Sequence, residues 1–335
     1  MSHDDYPYRV FLSYSQEDAK EAKQIVEWLG QQKLQPVWDQ HNPGGWPFLD
    51  EIRNQIDHCH LFIPLLTAQS VRSSWVNHEI GYAMGRNLPV FPLSLRGGLP
   101  EGMAAGINAV KGECVDDLLV RLTRPVINQR VKSANTAAVF ECADLSETRT
   151  EAIIKHCQLV EALTSNYHQP VRHRAAFGSF SLPSDPDDPI WLNRYDDRPP
   201  NKHRYERLSM ERQELEKHAS RFGCDLILYP TLPDLSAEAT RARKEVLQSF
   251  LQTMSELAVP VRVAFDKCAL EENLIIVGDW FFVESLTPSP EGFRHTTITS
   301  HAPTVLKRIE AFERQFNRLD WQRPDDAIGG LDGEF

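Results

Sequence analysis

The chain has 335 residues, 41% hydrophobic and 25% charged, the composition of a soluble globular protein with room for two ordinary domains. Its net charge of -11 argues against a dedicated nucleic-acid surface, which needs a basic footprint to neutralise phosphates. No apolar run approaches the roughly 18 residues that span a bilayer, and the opening Met-Ser-His-Asp-Asp lacks the basic-then-apolar order of a secretory signal. The six cysteines (Cys59, Cys114, Cys142, Cys157, Cys224 and Cys268) are scattered with no Cys-x-x-Cys pair. They read as reduced thiols rather than a disulfide framework or metal cage, so the expected address is the cytoplasm and no membrane partner is expected.

The first half alternates strand and helix patterns. Residues 8–15 form a compact apolar strand ending in small polar residues, and Gln16-Glu17-Asp18 opens a helix with Ala22, Ile25, Val26 and Leu29 at helical spacing. Gly30 is expected to close that helix, and a short strand follows at 34–38. The loop Asp39-Gln40-His41-Asn42-Pro43-Gly44-Gly45-Trp46-Pro47 is dense in turn formers. Next come a helix carrying Leu49, Ile52 and Ile56, a strand at 60–66, a helix beginning near Trp75 and ending near Arg86, and a strand at 88–95. Gly97-Gly98-Leu99-Pro100 ends the regular pattern, and a helix at 115–122 completes the domain. Strands separated by single helices imply a parallel sheet covered on both faces.

A boundary falls near 131–136. Beyond it the pattern predicts a strand at 137–142, a helix at 146–163, a Pro- and Asp-rich loop at 181–201 and a helix at 205–221. Strands at 225–229, 259–265, 273–284 and 295–300 follow, with helices at 237–257 and 303–319. The expected division is therefore a first α/β domain over 1–130, a second α/β domain with a mixed sheet over 137–322, and a polar, frayed tail over 323–335.

The chemistry concentrates on Ser74-Trp75-Val76-Asn77-His78-Glu79. At about 100° per residue, Val76, Ile80, Ala83 and Met84 share the stripe that faces the sheet. Trp75, Glu79, Tyr82 and Arg86 share the neighbouring stripe, at the edge of the buried face. The Glu79 carboxylate should therefore line a cleft over the carboxyl ends of the strands, where open α/β sheets place ligands. The strand end Ser13-Tyr14-Ser15 and the loop from Asp39 to Pro47 should border the same cleft. A helix glutamate is ordinarily a solvated surface acid and a tryptophan ordinarily core, and the Gly44-Gly45 turn alone specifies only a tight loop. His78 points away from the cleft stripe. His58, Cys59 and His60 straddle a helix-to-strand junction and supply no tetrahedral ligand set.

Taken in order, Phe11-Leu12-Ser13-Tyr14-Ser15 with Asp18, the loop Pro43-Gly44-Gly45-Trp46-Pro47, Ser73-Ser74-Trp75-x-x-x-Glu79 and the strand Pro89-Val90-Phe91-Pro92-Leu93 make residues 8–122 resemble a TIR domain. The resemblance implies a flavodoxin-like parallel sheet, with the Pro-Gly loop in the BB-loop position. It implies self-association through TIR domains. The Trp-x-x-x-Glu arrangement marks members that cleave NAD, many of which carry Cys after the Trp where this chain has Val76.

On that resemblance Glu79 is the expected catalytic acid, stabilising a ribosyl oxocarbenium ion, and Ser13, Tyr14, Trp38, Asp39, Gly44, Gly45, Trp46 and Trp75 are the expected substrate-binding residues. NAD enters as substrate, with no cofactor and no metal. The expected activity is that of an NAD glycohydrolase or ADP-ribosyl cyclase, switched on by assembly and serving bacterial anti-phage defence. Two other readings stay open: a non-catalytic TIR scaffold that recruits other TIR proteins, and a nucleotide N-ribosyl hydrolase or transferase.

The second half carries no catalytic motif. Asp279 and Glu284 read as edge-strand charges, and Arg204, Arg207, Glu211 and Arg212 as one salt-bridged helix face. By analogy with TIR modules joined to a controlling partner, this half is expected to sense an activating ligand or protein.

Overall fold

The structure is a computed structural model that describes residues 5–38, 46–98, 108–136, 141–143, 146–162, 169–182, 184–185, 187, 202–229, 237–268, 272–289 and 292–333. The chain divides into two compact units, Met1–Val139 with Ser300–Thr304, and Phe140–Thr299 with Val305–Phe335.

In the first unit five strands, β1 (Arg9–Ser13), β2 (Gln35–Trp38), β3 (Leu61–Leu66), β4 (Leu93–Leu95) and β5 (Val110–Gly112), lie in the order β2-β1-β3-β4-β5. Every pairing is parallel. β1 and β3 are buried at every position, as strands covered on both faces must be. The crossovers are α1 (Ala19–Gln31), α2 (Trp46–Asp57) and α3 (Ser74–Gly85), with α4 (Val115–Leu119) and α5 (Arg124–Lys132) completing the unit. α2 and α3 share one core with the central strands, built from Ile52, Ile56, Val76, Ile80 and Ala83 against Phe11 and Phe62, whose rings stack at 5.6 Å. α1 packs against α4 instead, which puts it on the opposite face. This is the flavodoxin-like parallel sheet expected from the sequence.

The local differences have physical causes. Gly30 lies inside α1, and the chain reverses at Lys33, which takes the left-handed conformation (φ 57°). There Leu34 N–H bonds Leu29 O and Lys33 N–H bonds Gly30 O, the paired arrangement that satisfies the last helix carbonyls. The strand expected over 88–95 is a single bridge at Val90 followed by β4, because Pro89 and Pro92 donate no ladder hydrogen bond. β5, three residues ending in glycine, gave no periodic signal. α3 ends with the same double closure as α1, on Asn87 (φ 56°) and Leu88.

The second unit is built on an eight-stranded mixed sheet. Its strands are β6 (Glu141–Ala143), β7 (Val171–Ala175), β8 (Cys224–Leu228), β9 (Val261–Phe265), β10 (Glu272–Val277), β11 (Phe281–Ser289), β12 (Gly292–Thr299) and β13 (Trp321–Gln322). They run in the order β13-β9-β8-β7-β10-β11-β12-β6. β7, β8 and β9 are parallel, and the remaining pairings are antiparallel. The helices are α6 (Ser146–Ala162), α7 (Lys202–Phe222), α8 (Ala237–Glu256), α9 (Ala302–Phe316) and α10 (Pro324–Gly333).

Several expectations for this half are corrected. The run 273–284 is not one strand but a hairpin, turned at Gly278 (φ 57°). Asp279 and Glu284 are not edge charges. Asp279 is wholly buried in the turn, and Glu284 lies on β11, an interior strand, where it pairs with Arg174 (3.3 Å) and Arg308. The salt-bridged face of α7 holds for Arg207 with Glu151 and Arg212 with Glu216, but Glu211 is fully buried. Glu211 takes hydrogen bonds from Arg149 (3.2 Å), Thr150 (2.7 Å) and Ser179 (2.6 Å), the partners a buried charge requires.

The tail expected to fray is the helix α10. Pro324 and the acids Asp325 and Asp326 suit a first turn, and Ala327 and Leu331 are buried in the core of the unit. Among the described residues, no helix is long and apolar enough to cross a membrane. Most of the loop expected over 181–201 and of the strand expected over 137–142 lies outside the described residues.

Candidate active site

In a sheet of order 2-1-3-4-5, the connections leaving β1 and β3 depart to opposite faces, and the crevice between them at the carboxyl ends is where such folds bind ligands. Ser13 is the last residue of β1, in register with Pro64 of β3, so it stands at that point. Strand alternation decides its direction. Phe11 contributes to the core under α3, and Ser13, two residues on, faces the same way.

α3 returns antiparallel to the strands, so its first turns lie beside their carboxyl ends. Its buried stripe is Val76, Glu79, Ile80 and Ala83. Glu79 is thus deeper than the edge position expected from the wheel, at 5% exposure. The Ser13 hydroxyl, itself 2% exposed, donates to Glu79 Oε2 at 2.5 Å. A carboxylate removed from water costs several kcal/mol unless hydrogen bonds replace its hydration, so an acid at this depth is a local rule broken.

The other members of the expected stripe divide. Trp75 is half-buried against the core shared by α2 and α3. Tyr82 and Arg86 turn to the end of α2: the Tyr82 hydroxyl donates to Asp57 Oδ2 at 2.9 Å, and Arg86 Nε lies 2.7 Å from Asp57 Oδ1. Burial, followed by the Asp57 charge, raises the Tyr82 phenol above its ordinary range. His78 is exposed.

Tyr14 and Trp38 form a second group, with ring centroids 6.0 Å apart at 37°. β2 pairs Leu12 with Trp38 and Phe11 with Val37, so Trp38 rises from the face opposite Ser13. The expected residues therefore flank the strand tips from two sides, Glu79 and Trp75 on the α3 side, Tyr14 and Trp38 on the α1 side. Asp39, Gly44 and Gly45 lie outside the described residues. Trp46 opens α2, and its side chain is likewise outside them.

Sequence reasoning did not place Thr67. It follows β3 directly and, at 6% exposure, donates its hydroxyl to Asp18 Oδ2 at 2.7 Å. The signal was present in Thr67-Ala68-Gln69-Ser70, a hydroxyl pair three residues apart ahead of a helix. Elsewhere in the unit, His60 Nδ1 accepts the N–H of Arg9 (2.9 Å), and burial pushes the Cys59 thiol up to about 12. Among the described residues, no group of three or more His, Cys, Asp and Glu is arranged to hold a metal ion.

Residues 10–116 match the family model of the TIR domain. This part of the chain is a TIR domain. The match takes in the opening strand, the buried Glu79 and both residues of the Asp18–Thr67 pair. Among solved structures, a CMP N-glycosidase from Clostridium botulinum is similar at 16% identity and a TM-score of 0.28, the likeness covering 34% of this chain and 97% of that one. No curated protein matches the chain. The second unit lies beyond the matched residues.

Proposed function

We propose that the TIR domain is an NAD glycohydrolase, and that Glu79 is its catalytic residue. The observation that carries this reading is the Glu79 carboxylate buried on the Ser13 hydroxyl at the switch point of the sheet. In NAD the ribosyl C1′–N bond joins the sugar to a cationic nicotinamide ring. When it breaks, the electron pair goes to nitrogen, nicotinamide departs neutral, and the positive charge passes to the ribose as an oxocarbenium ion. A carboxylate already fixed beside that carbon stabilises the developing charge without reorganising, as carboxylates do beside other glycosidic bonds. Ser13 holds the carboxylate in place. Trp75, one turn before Glu79, offers an indole face to a ring of the dinucleotide, and Tyr14 with Trp38 offers aromatic surface from the other side.

Water as the acceptor gives ADP-ribose, and the dinucleotide's own adenine gives a cyclic ADP-ribose. The second unit would respond to an activating ligand or protein and promote association of TIR domains. Its setting would be bacterial anti-phage defence, in keeping with the TIR resemblance.

The test is to incubate the full-length protein, over a range of concentrations that spans self-association, with NAD and separately with nucleoside 5′-monophosphates. Nicotinamide from NAD, with the monophosphates untouched, is the expected result. Free base from the monophosphates instead would move the assignment to a nucleotide N-ribosyl hydrolase. No cleavage of either at any concentration would leave a scaffold.

A further inference from the structure

The two walls of the switch point are tied together by one hydrogen-bonded chain. On the α1 side, β1 leads through Tyr14 and Ser15 into a single turn, where Asp18 N–H bonds Ser15 O at 2.8 Å and the Asp18 side chain is buried at 7% exposure. On the α3 side, β3 leads into Thr67, whose hydroxyl donates to Asp18 Oδ2 (2.7 Å). The same oxygen of Thr67 accepts the N–H groups of Gln69 (3.2 Å) and Ser70 (3.1 Å), and Ser70 Oγ in return accepts Thr67 N–H (2.7 Å).

That reciprocal pair fixes the turn from which α3 starts. The turn continues through Ser70–Arg72 to Ser73, the N-cap whose hydroxyl accepts Val76 N–H. Asn77 Nδ2 closes it by donating to Val71 O (3.0 Å) and Ser73 O (2.9 Å). The first turns of α3, which carry Trp75 and Glu79, are thus hung from Thr67, and Thr67 is hung from Asp18 across the tips of β1 and β3.

We infer that Asp18 and Thr67 are positioning residues: their hydrogen bond is a clasp that sets the spacing of the two walls and holds α3 in the register that brings Glu79 onto Ser13. The inference rests on the proposed role of Glu79. It assigns Asp18 and Thr67 no contact with substrate. A cleaving carboxylate displaced by about 1 Å can lose about a hundredfold in rate, so a clasp placed away from the reacting atoms is expected to act on kcat more than on KM.

Two kinds of variant separate the clasp from mere packing. Thr67→Val and Asp18→Ala remove the donor or the acceptor, whereas Thr67→Ser and Asp18→Asn keep a hydroxyl donor or a side-chain oxygen acceptor. The experiment measures amide hydrogen exchange of the full-length protein over α3, alongside nicotinamide release. Thr67→Val and Asp18→Ala are expected to speed exchange at the start of α3 and lower kcat by about tenfold to a hundredfold, with a smaller rise in KM because Trp75 rides on the same turns. Thr67→Ser and Asp18→Asn are expected to restore both.

Exchange over α3 that is the same in all four variants and the wild type overturns the clasp, whatever the activity. Loosened exchange in the two disruptive variants, with no nicotinamide from the wild type, upholds the clasp and sinks the glycohydrolase reading instead. The two failures are therefore distinguishable.

Discussion

On an exposed helix a glutamate keeps its hydration, whereas Glu79 sits at 5% exposure with the Ser13 hydroxyl at 2.5 Å, so its placement has to be supported by the fold around it. The residue types and the Trp75–Glu79 spacing were legible because one helix face decides them. The partner contacts were less so: Asp18 and Thr67 are 49 positions apart in the chain and meet only through the parallel pairing of β1 and β3.

Two buried titratable groups give pH signatures of opposite sign. Burial is the largest influence on Asp18 and raises its pKa above 3.8, outweighing the Thr67 hydrogen bond. The folded state then holds the Asp18 proton more tightly than the unfolded chain, so this residue costs stability as pH rises past 3.8 and through the folded value. Asp18→Asn keeps the Thr67 bond and removes that cost. Its denaturant midpoint should match or exceed wild type at about pH 7 and lose the advantage near pH 4, as urea titrations followed by tryptophan fluorescence would read.

His173 runs the other way. Desolvation lowers it from 6.5 to about 4, with its Nδ1 on Leu274 O at 2.8 Å and its Nε2 accepting Ser179 N–H at 2.8 Å. The unfolded chain takes up this proton first, so stability present above pH 6.5 is lost as pH falls toward 4, a difference of roughly 3 kcal/mol. His173→Asn should lack that component, seen as a stability gap to wild type that narrows on acidification.

At the scale of elements, unbroken apolar runs announced β1 and β3, and periodic stripes announced α1 and α3. The elements that went unread are those whose burial depends on partners elsewhere. β7 reads Val-Arg-His-Arg-Ala, a charged segment on paper, yet all five residues are buried. Arg172 pairs with Glu313 (3.0 Å) and Arg174 with Glu272 and Glu284, while His173 faces the other way. The His173 ring in turn packs against the turn at Gly178 (φ 70°), where a Cβ would fall 2.1 Å from Nε2.

α10 was obscured by Gly329 and Gly330, which lower helix propensity, and by its acidic start. Its apolar side nonetheless packs into the core, and Gly330 lies close against Phe265. Leu331→Ala should therefore cost about 2–5 kcal/mol rather than nothing, as thermal or denaturant unfolding would show. An unchanged midpoint would restore the frayed tail.

Across the whole molecule, the described residues give each unit a hydrophobic core of its own, Phe11 and Phe62 among the first and Leu226 and Phe281 among the second. The TIR half was readable because its motifs fall in a fixed order along a repeating strand–helix pattern. The second half joins a parallel trio to an antiparallel run, a combination that periodicity alone does not order. The proposed chemistry rests on Glu79, the buried acid of the first unit.

Its most direct measurement is a side-by-side time course of nicotinamide release from NAD by wild type, Ser13→Ala and Glu79→Gln, each shown to be folded by circular dichroism. Release should be slowed in Ser13→Ala, whose carboxylate has lost its anchor, and abolished in Glu79→Gln. Release from Glu79→Gln at the wild-type rate would contradict the account.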